Sequence, residues 1–217
     1  MIVRQEKRRT KMSNIDKKAL YNIGYGLYVI TSQDAKRDNG MISNTVVQLS
    51  SEPLRIGVSI NKCNYTHDTV RASCRMNVMM LTVDTPFKVF EEFGFRSGRD
   101  CDKFEGCSPN RSENGLVVLP KYINSYMSLE VVGYTDLGSH GLFICSVTEA
   151  EVVSDRPSMS YAHYHAHVKP KPKVEKTKSA GYVCTVCGYV HPEEPGDDFV
   201  CPICKHGADA FIPVADD

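Results

Sequence analysis

The chain has 217 residues, of which 26 are basic and 26 acidic, so its formal charge is zero and composition argues against a specific nucleic-acid surface. Hydrophobic residues make up 41%, enough for one moderate domain plus an appendage, yet no apolar run approaches the roughly 18 residues of a membrane span. Two glycosylation-type triplets, at Asn64 and Asn110, lie in a sequence without a secretory leader, and the expectation is a soluble cytoplasmic protein with reduced thiols.

The first eleven residues, MIVRQEKRRTK, carry five basic side chains against one acidic; residues 1–14 read as a disordered extension, with Met1 and Met12 as alternative starts. Short helices are expected over Ile15–Tyr21 and Thr66–Ser73 and after Thr85-Pro86, with Thr as the cap and Pro in the first turn. Between them stand β-rich runs: Leu27–Thr31, Thr45–Leu49, Arg55–Ile60, Val78–Val83, Met127–Val132 and Leu142–Val147. Six such runs with irregular helices predict a mainly β barrel over residues 15–167, with the helices as covers. Gly24-Tyr25-Gly26 lacks the third glycine of a dinucleotide fingerprint and leads into a strand, so a nicotinamide cofactor must bind without a Rossmann fold.

Polar clusters close several strands. Lys62, with the N–H groups of a helix capped by Thr66, suits a phosphate, and Ser43, Asn44 and Thr45 suit the edge of a flat heterocycle. Such clusters are equally the stuff of turns. Arg96, Arg99, Asp100 and Lys103 form a charged loop that is either a self-paired surface or the rim of a site. His163, His165 and His167 alternate, which on a strand would put all three on one face, but without a carboxylate or cysteine nearby a metal there is disfavoured. Cys145 lies in an apolar run and reads as core, whereas Cys63, Cys74, Cys101 and Cys107 lack motif spacing.

Residues 168–180, VKPKPKVEKTKSA, hold five lysines and two prolines and read as a solvated linker. Its reach is roughly 20 Å coiled or 40 Å extended. Residues 181–217 contain two Cys-x-x-Cys pairs, Cys184/Cys187 and Cys201/Cys204, with thirteen residues between them. Two residues between paired cysteines let one tight turn aim both sulfurs at a point, so two such turns offer a four-sulfur cage suited to zinc or iron. Disulfides and a thioredoxin-type pair fit a leaderless, repeated motif less well.

Cys-Thr-Val-Cys-Gly-Tyr-Val, Cys-Pro-Ile-Cys and Phe211 resemble a rubredoxin, most nearly the compact module at the end of rubrerythrins. That resemblance implies one iron on Cys184, Cys187, Cys201 and Cys204. It departs at Lys205, where rubredoxins usually have glycine. Upstream, Gly-Tyr-Gly-Leu-Tyr-Val-Ile-Thr-Ser, Asn-Gly-Met-Ile-Ser-Asn-Thr-Val, Val-Ser-Ile-Asn-Lys-Cys-Asn-Tyr-Thr-His, Phe-Gly-Phe-Arg-Ser-Gly-Arg-Asp and Asp-Lys-Phe-Glu-Gly occur in order. Together they are similar to the flavin reductase-like FMN-binding split-barrel family, whose members are homodimers holding FMN at the subunit interface. The resemblance implies Ser43, Asn44 and Thr45 at the isoalloxazine and Ser59, Asn61, Lys62 and Thr66 at the ribityl phosphate. His67 is expected either beside them or on the surface at the helix end.

The combination resembles the high-molecular-weight rubredoxins. It implies an oxidoreductase that passes electrons from NAD(P)H, directly or through a reductase, by way of FMN to the iron and then to a flavodiiron-type acceptor. A flavin reductase releasing reduced flavin and an FMN protein with a zinc-held docking module are the alternatives.

Overall fold

The computed structural model describes residues 17–35, 37–106, 108–170, 181–184, 189–201 and 207–213. The expected extension at 1–14 and most of the linker, residues 171–180, lie outside them, as do Cys107, Cys187, Cys204 and Lys205.

Seven strands form one antiparallel sheet: β1 (Tyr28–Gln33), β2 (Asp38–Ser43), β3 (Val46–Ser51), β4 (Leu54–Asn61), β5 (Arg75–Leu81), β8 (Ile123–Asp136) and β9 (His140–Val152), in the order β2-β1-β5-β8-β9-β4-β3. Between β5 and β8 lie the two-residue strands β6 (Asn110–Arg111) and β7 (Val117–Val118). Alternation along the strands builds two cores. Val29 pairs with Met79 and both enter one cluster with Phe90, Phe93 and Tyr126; their neighbours Ile30 and Val78 also pair and enter the other, with Val58, Leu129 and Phe143. Register shifts at Ser128/Leu129 and Val131/Gly133 in the long β8–β9 ribbon, and at Met80/Leu81 between β5 and β8, mark extra residues of the kind that bend a strand. Cys145 is fully buried as expected, and burial pushes its thiol up to about 12.

Strand β2 is absent from the sequence reading, because its DNGMIS has the composition of a turn. Tertiary contacts override that composition. Buried Asn39 finds a partner in Thr66 of α1, and at Gly40 an added Cβ would lie 3.0 Å from the Phe93 ring, a tight contact that glycine avoids.

The helices depart from expectation in their caps. Helix α1 spans Tyr65–Ser73 with Asn64 as its N-cap, so Thr66 lies inside the helix and is buried. Helix α2 spans Phe87–Phe90 and continues as a wider turn to Phe95; Pro86 is the N-cap, and the Thr85 hydroxyl instead donates to the Thr82 carbonyl at 2.6 Å. The histidine run is helical, α3 (Tyr161–His163) followed by a π turn to Val168, which removes the shared strand face. There His165 packs edge-on against Tyr161 and His163 lies against His167. The cause is the Ser160 hydroxyl, which accepts the His163 N–H and caps the turn.

A second, three-stranded sheet holds β10 (Tyr182–Cys184), β11 (Val190–His191) and β12 (Phe211–Pro213), in the order β11-β10-β12. Its core is Cys184, Cys201 and Phe211, with Tyr182, Tyr189 and Phe199 against them. Among the described residues no helix is long and apolar enough to cross a membrane.

Candidate flavin and metal sites

The residues singled out in the barrel meet at the C-terminal end of β4. Ser59, Ile60 and Asn61 pair with Leu142, Gly141 and His140, while the Ser59 N–H donates to the Thr45 carbonyl at 3.1 Å. That bond fixes the 43–45 segment beside β4. Ser43 is buried and its hydroxyl accepts the Thr45 N–H; the Thr45 hydroxyl donates to Asn44 Oδ1 at 2.9 Å.

Asn61 Oδ1 accepts the Cys63 N–H at 2.9 Å and turns the chain into α1. The Asn64 side chain makes no capping bond, so no side chain of the cap competes for the first-turn N–H groups. Lys62 stands beside this helix start, its ammonium paired with Asp136, and that bond holds the Asp136 carboxyl below the usual carboxylate range. A cation next to an uncapped helix N-terminus fits a phosphate. Thr66 contributes less than its sequence position implies, since its hydroxyl oxygen accepts from Asn39 Nδ2 at 2.7 Å.

His67 is buried, not a surface residue. Its Nε2 meets the Tyr134 hydroxyl at 3.1 Å and its Nδ1 meets Asp68 at 3.2 Å, with the ring packed on Phe143. Gly141 makes room for this contact: a Cβ there would lie 2.4 Å from Tyr134 Cε2 and 2.8 Å from His67 Nε2. Gly141→Ala is therefore expected to lower the barrel's stability by about 1–3 kcal/mol, the usual cost of overpacking, in a denaturant titration.

The charged loop is exposed at Arg96, Arg99 and Asp100, as a self-paired surface would be, and it also reaches back to α1. Arg99 donates to Asp68 at 2.6 Å and to the Cys63 carbonyl at 3.0 Å, and stands over the Tyr65 ring; Arg96 forks onto Glu92. Lys103 turns inward and donates to the Gly40 carbonyl at 2.7 Å. Burial lowers its pKa from 10.5 to about 8. Between those values the unfolded chain holds a proton that the folded one has released, so this group makes stability rise with pH from about 8 to 10.5, while below pH 8 the burial cost is present in full. Unfolding free energies at about pH 7.5 and 9.5 should show that rise in the native chain and not in Lys103→Met. Local sequence gave no sign of either contact; the glycine at 98, where a Cβ would lie 2.0 Å from Asn39 Oδ1, is the one hint of close packing.

The eight predicted flavin residues line neither of two cavities, of about 710 and 590 Å³, that the barrel carries. On the 43–45 segment, the end of β4 and the first turn of α1, they are the predicted flavin rim.

Of the four predicted metal ligands, Cys184 and Cys201 are described, and both are buried in one small cluster at 1% and 0% exposure. The Cys184 N–H donates to the Tyr189 carbonyl at 2.8 Å, and an isolated bridge joins Val200 to Gly207. Two thiols brought together in so small a core fit a shared metal.

Residues 20–171 match the model of the flavin reductase like domain, and residues 182–212 match the rubrerythrin, rubredoxin-like domain. The chain belongs to the flavin reductase-like family. It joins that domain to a rubredoxin-like one and is an oxidoreductase, a pairing that serves electron transfer through a flavin and a rubredoxin centre. It is 36% identical to a high molecular weight rubredoxin of Moorella thermoacetica, across 91% of this chain and 99% of the relative. A ferric-chelate reductase (NAD(P)H) of Archaeoglobus fulgidus is 37% identical across 69% of this chain and 89% of its own. Among solved structures, an FMN-binding protein from Thermus thermophilus superposes with a TM-score of 0.60 at 19% identity, over 73% of this chain and 91% of that one; that likeness concerns the fold.

Proposed function

We propose that the protein is a cytoplasmic, homodimeric flavo-rubredoxin that moves electrons from NAD(P)H to a redox partner of the flavodiiron type. The observation that carries this reading is the union, in one chain, of a flavin reductase-like barrel with a segment whose Cys184 and Cys201 are buried together. Bound FMN would accept a hydride and release single electrons, and an iron on Cys184, Cys187, Cys201 and Cys204 would take them one at a time. The relative from Moorella, matched over nearly its whole length, supports the combination, and the name of the Archaeoglobus reductase supports a pyridine nucleotide as donor.

The chain's own residues bind and orient. Ser43, Asn44 and Thr45 would meet the ring; Ser59, Asn61, Lys62 and the first turn of α1, with Thr66 and His67 behind it, would hold the phosphate end. No side chain is assigned an acid or base role. Val47, Leu49 and Leu54 expose 54, 47 and 44% of their surface on β3 and the start of β4, and burying them against a second copy would close the rim of predicted flavin residues into a groove. In domain terms, an extension at 1–14, the barrel at 15–167, a linker at 168–180 and the metal module at 181–217 follow.

Gel filtration of the purified protein tests the proposal. Flavin absorbance that travels with protein at the mass of two chains supports it. Flavin that is left behind on the column favours a reductase releasing reduced flavin. Metal analysis that finds zinc in place of iron makes the module a docking element.

A further inference from the structure

We propose that the 710 Å³ cavity beside the β1–β2 turn binds the phosphate-bearing adenosine half of the donor nucleotide, with Arg37 and Arg75 as its anion-binding groups. It lies between that turn, the C-terminal end of α1 and the segment around Asp102 to Arg111, and its size is in the range that buries a nucleotide-sized ligand.

Three arginines and three aspartates line it, and among the described residues Arg111 and Asp38 pair directly. Arg111 is committed to Asp38, at 3.0 and 2.6 Å, and to the Gly115 carbonyl. Asp38 also accepts from Gln33, Asp34 accepts the Arg37 N–H and the Tyr65 hydroxyl, and Asp102 accepts the Phe104 N–H. The guanidinium of Arg37 meets the Arg99 carbonyl at 3.2 Å and the Tyr65 ring, and that of Arg75 meets the Asn114 carbonyl at 3.0 Å. Neither has a carboxylate partner among the described residues. A guanidinium offers five donors, so both retain most of theirs for an anion in the cavity. A carboxylate accepts more than one bond, so Asp38 and Asp102 can also meet ribose hydroxyls.

Position ties the cavity to the flavin rim. Asp34, on its wall, takes the hydroxyl of Tyr65, the first residue of α1. Arg37 is joined through Arg99 to the Cys63 carbonyl, next to Lys62. A ligand held by its phosphates at Arg37 therefore starts beside the helix whose first turn is assigned to the flavin phosphate. A dinucleotide is long enough to run from one to the other. That the nucleotide is the electron donor rests on the function proposed above, whereas the anion site does not.

Calorimetry of the flavin-replete dimer with 5′-ADP and with adenosine tests the site directly. The expected result is that ADP binds at least tenfold more tightly than adenosine, that Arg37→Gln and Arg75→Gln each weaken ADP about tenfold, and that Arg75→Lys keeps part of the affinity. Arg55→Gln, outside the lining, controls for overall charge, and retained flavin with an unchanged circular dichroism spectrum controls for folding. The same two glutamine variants should raise KM for the pyridine nucleotide by a similar factor. Equal affinity for ADP and adenosine, ADP binding indifferent to Arg37 and Arg75, or ADP binding lost with KM unchanged would each overturn the proposal. If the native protein is reduced by neither NADH nor NADPH, the donor reading fails, and the ADP calorimetry still decides whether the anion site exists.

Discussion

Cys201→Ser is expected to remove the ferric-thiolate absorption of the iron-loaded protein completely and to unfold the segment around it, while the barrel keeps its flavin. Cys201 is fully buried and shares its cluster with Cys184 and Phe211, so its sulfur is both the wall of the small core and the proposed ligand. Three strands of two or three residues each cannot bury enough apolar surface to offset the entropy of ordering them. Structural zinc in peptides of comparable size is worth on the order of 10–16 kcal/mol, and losing one of four thiolates from such a cage removes much of the metal's contribution to folding. Serine is smaller and poorly suited to iron, so packing does not rescue the site. Visible spectra, metal analysis and proteolytic susceptibility of the end of the chain read the effect together. A variant that keeps iron and its colour would show that Cys201 is core and not ligand.

Lys62→Met is expected to weaken FMN by roughly 10- to 100-fold, the loss of one charge-assisted bond to phosphate, and to leave riboflavin unchanged. The Lys62–Asp136 pair is partly exposed on both sides, and such pairs contribute little to stability, so the variant should fold normally. The comparison of the two flavins separates phosphate recognition from damage to the barrel. Equal weakening of both ligands would mean that Lys62 supports the β4–α1 turn instead. No change for either would move the phosphate elsewhere and take the assigned role of the α1 N-terminus with it.

Where local chemistry decides structure, the sequence was readable. The apolar runs of β1, β4, β5, β8 and β9 are bounded by turn residues clearly enough to be found without a structure. The Cys-x-x-Cys pairs needed only their spacing. What stayed hidden depends on residues far apart in the chain. Strand β2 looks like a turn until Phe93 and Thr66 are brought onto Gly40 and Asn39. His67 looks like an exposed helix end until Tyr134 and Phe143, more than sixty residues later, cover it. Lys103 looks like one more charge in a polar loop, and only the fold turns it onto the Gly40 carbonyl. The alternating histidines misled for the opposite reason, because a single local bond from the His163 N–H to the Ser160 hydroxyl starts a helix that the period-2 pattern does not reveal. At the predicted flavin residues, the sequence does not show the partners the fold supplies: Thr66 serves Asn39, and Arg99 anchors the first turn of α1.

The central claim is that one chain holds a flavin and an iron that exchange electrons, and an anaerobic visible spectrum recorded before and after adding NADH or NADPH tests it most directly. The account predicts overlapping flavin and ferric-thiolate bands that both bleach with the donor. A flavin spectrum without any iron contribution, in protein produced with ample iron, or an iron band that stays oxidised after the flavin has bleached, would contradict it.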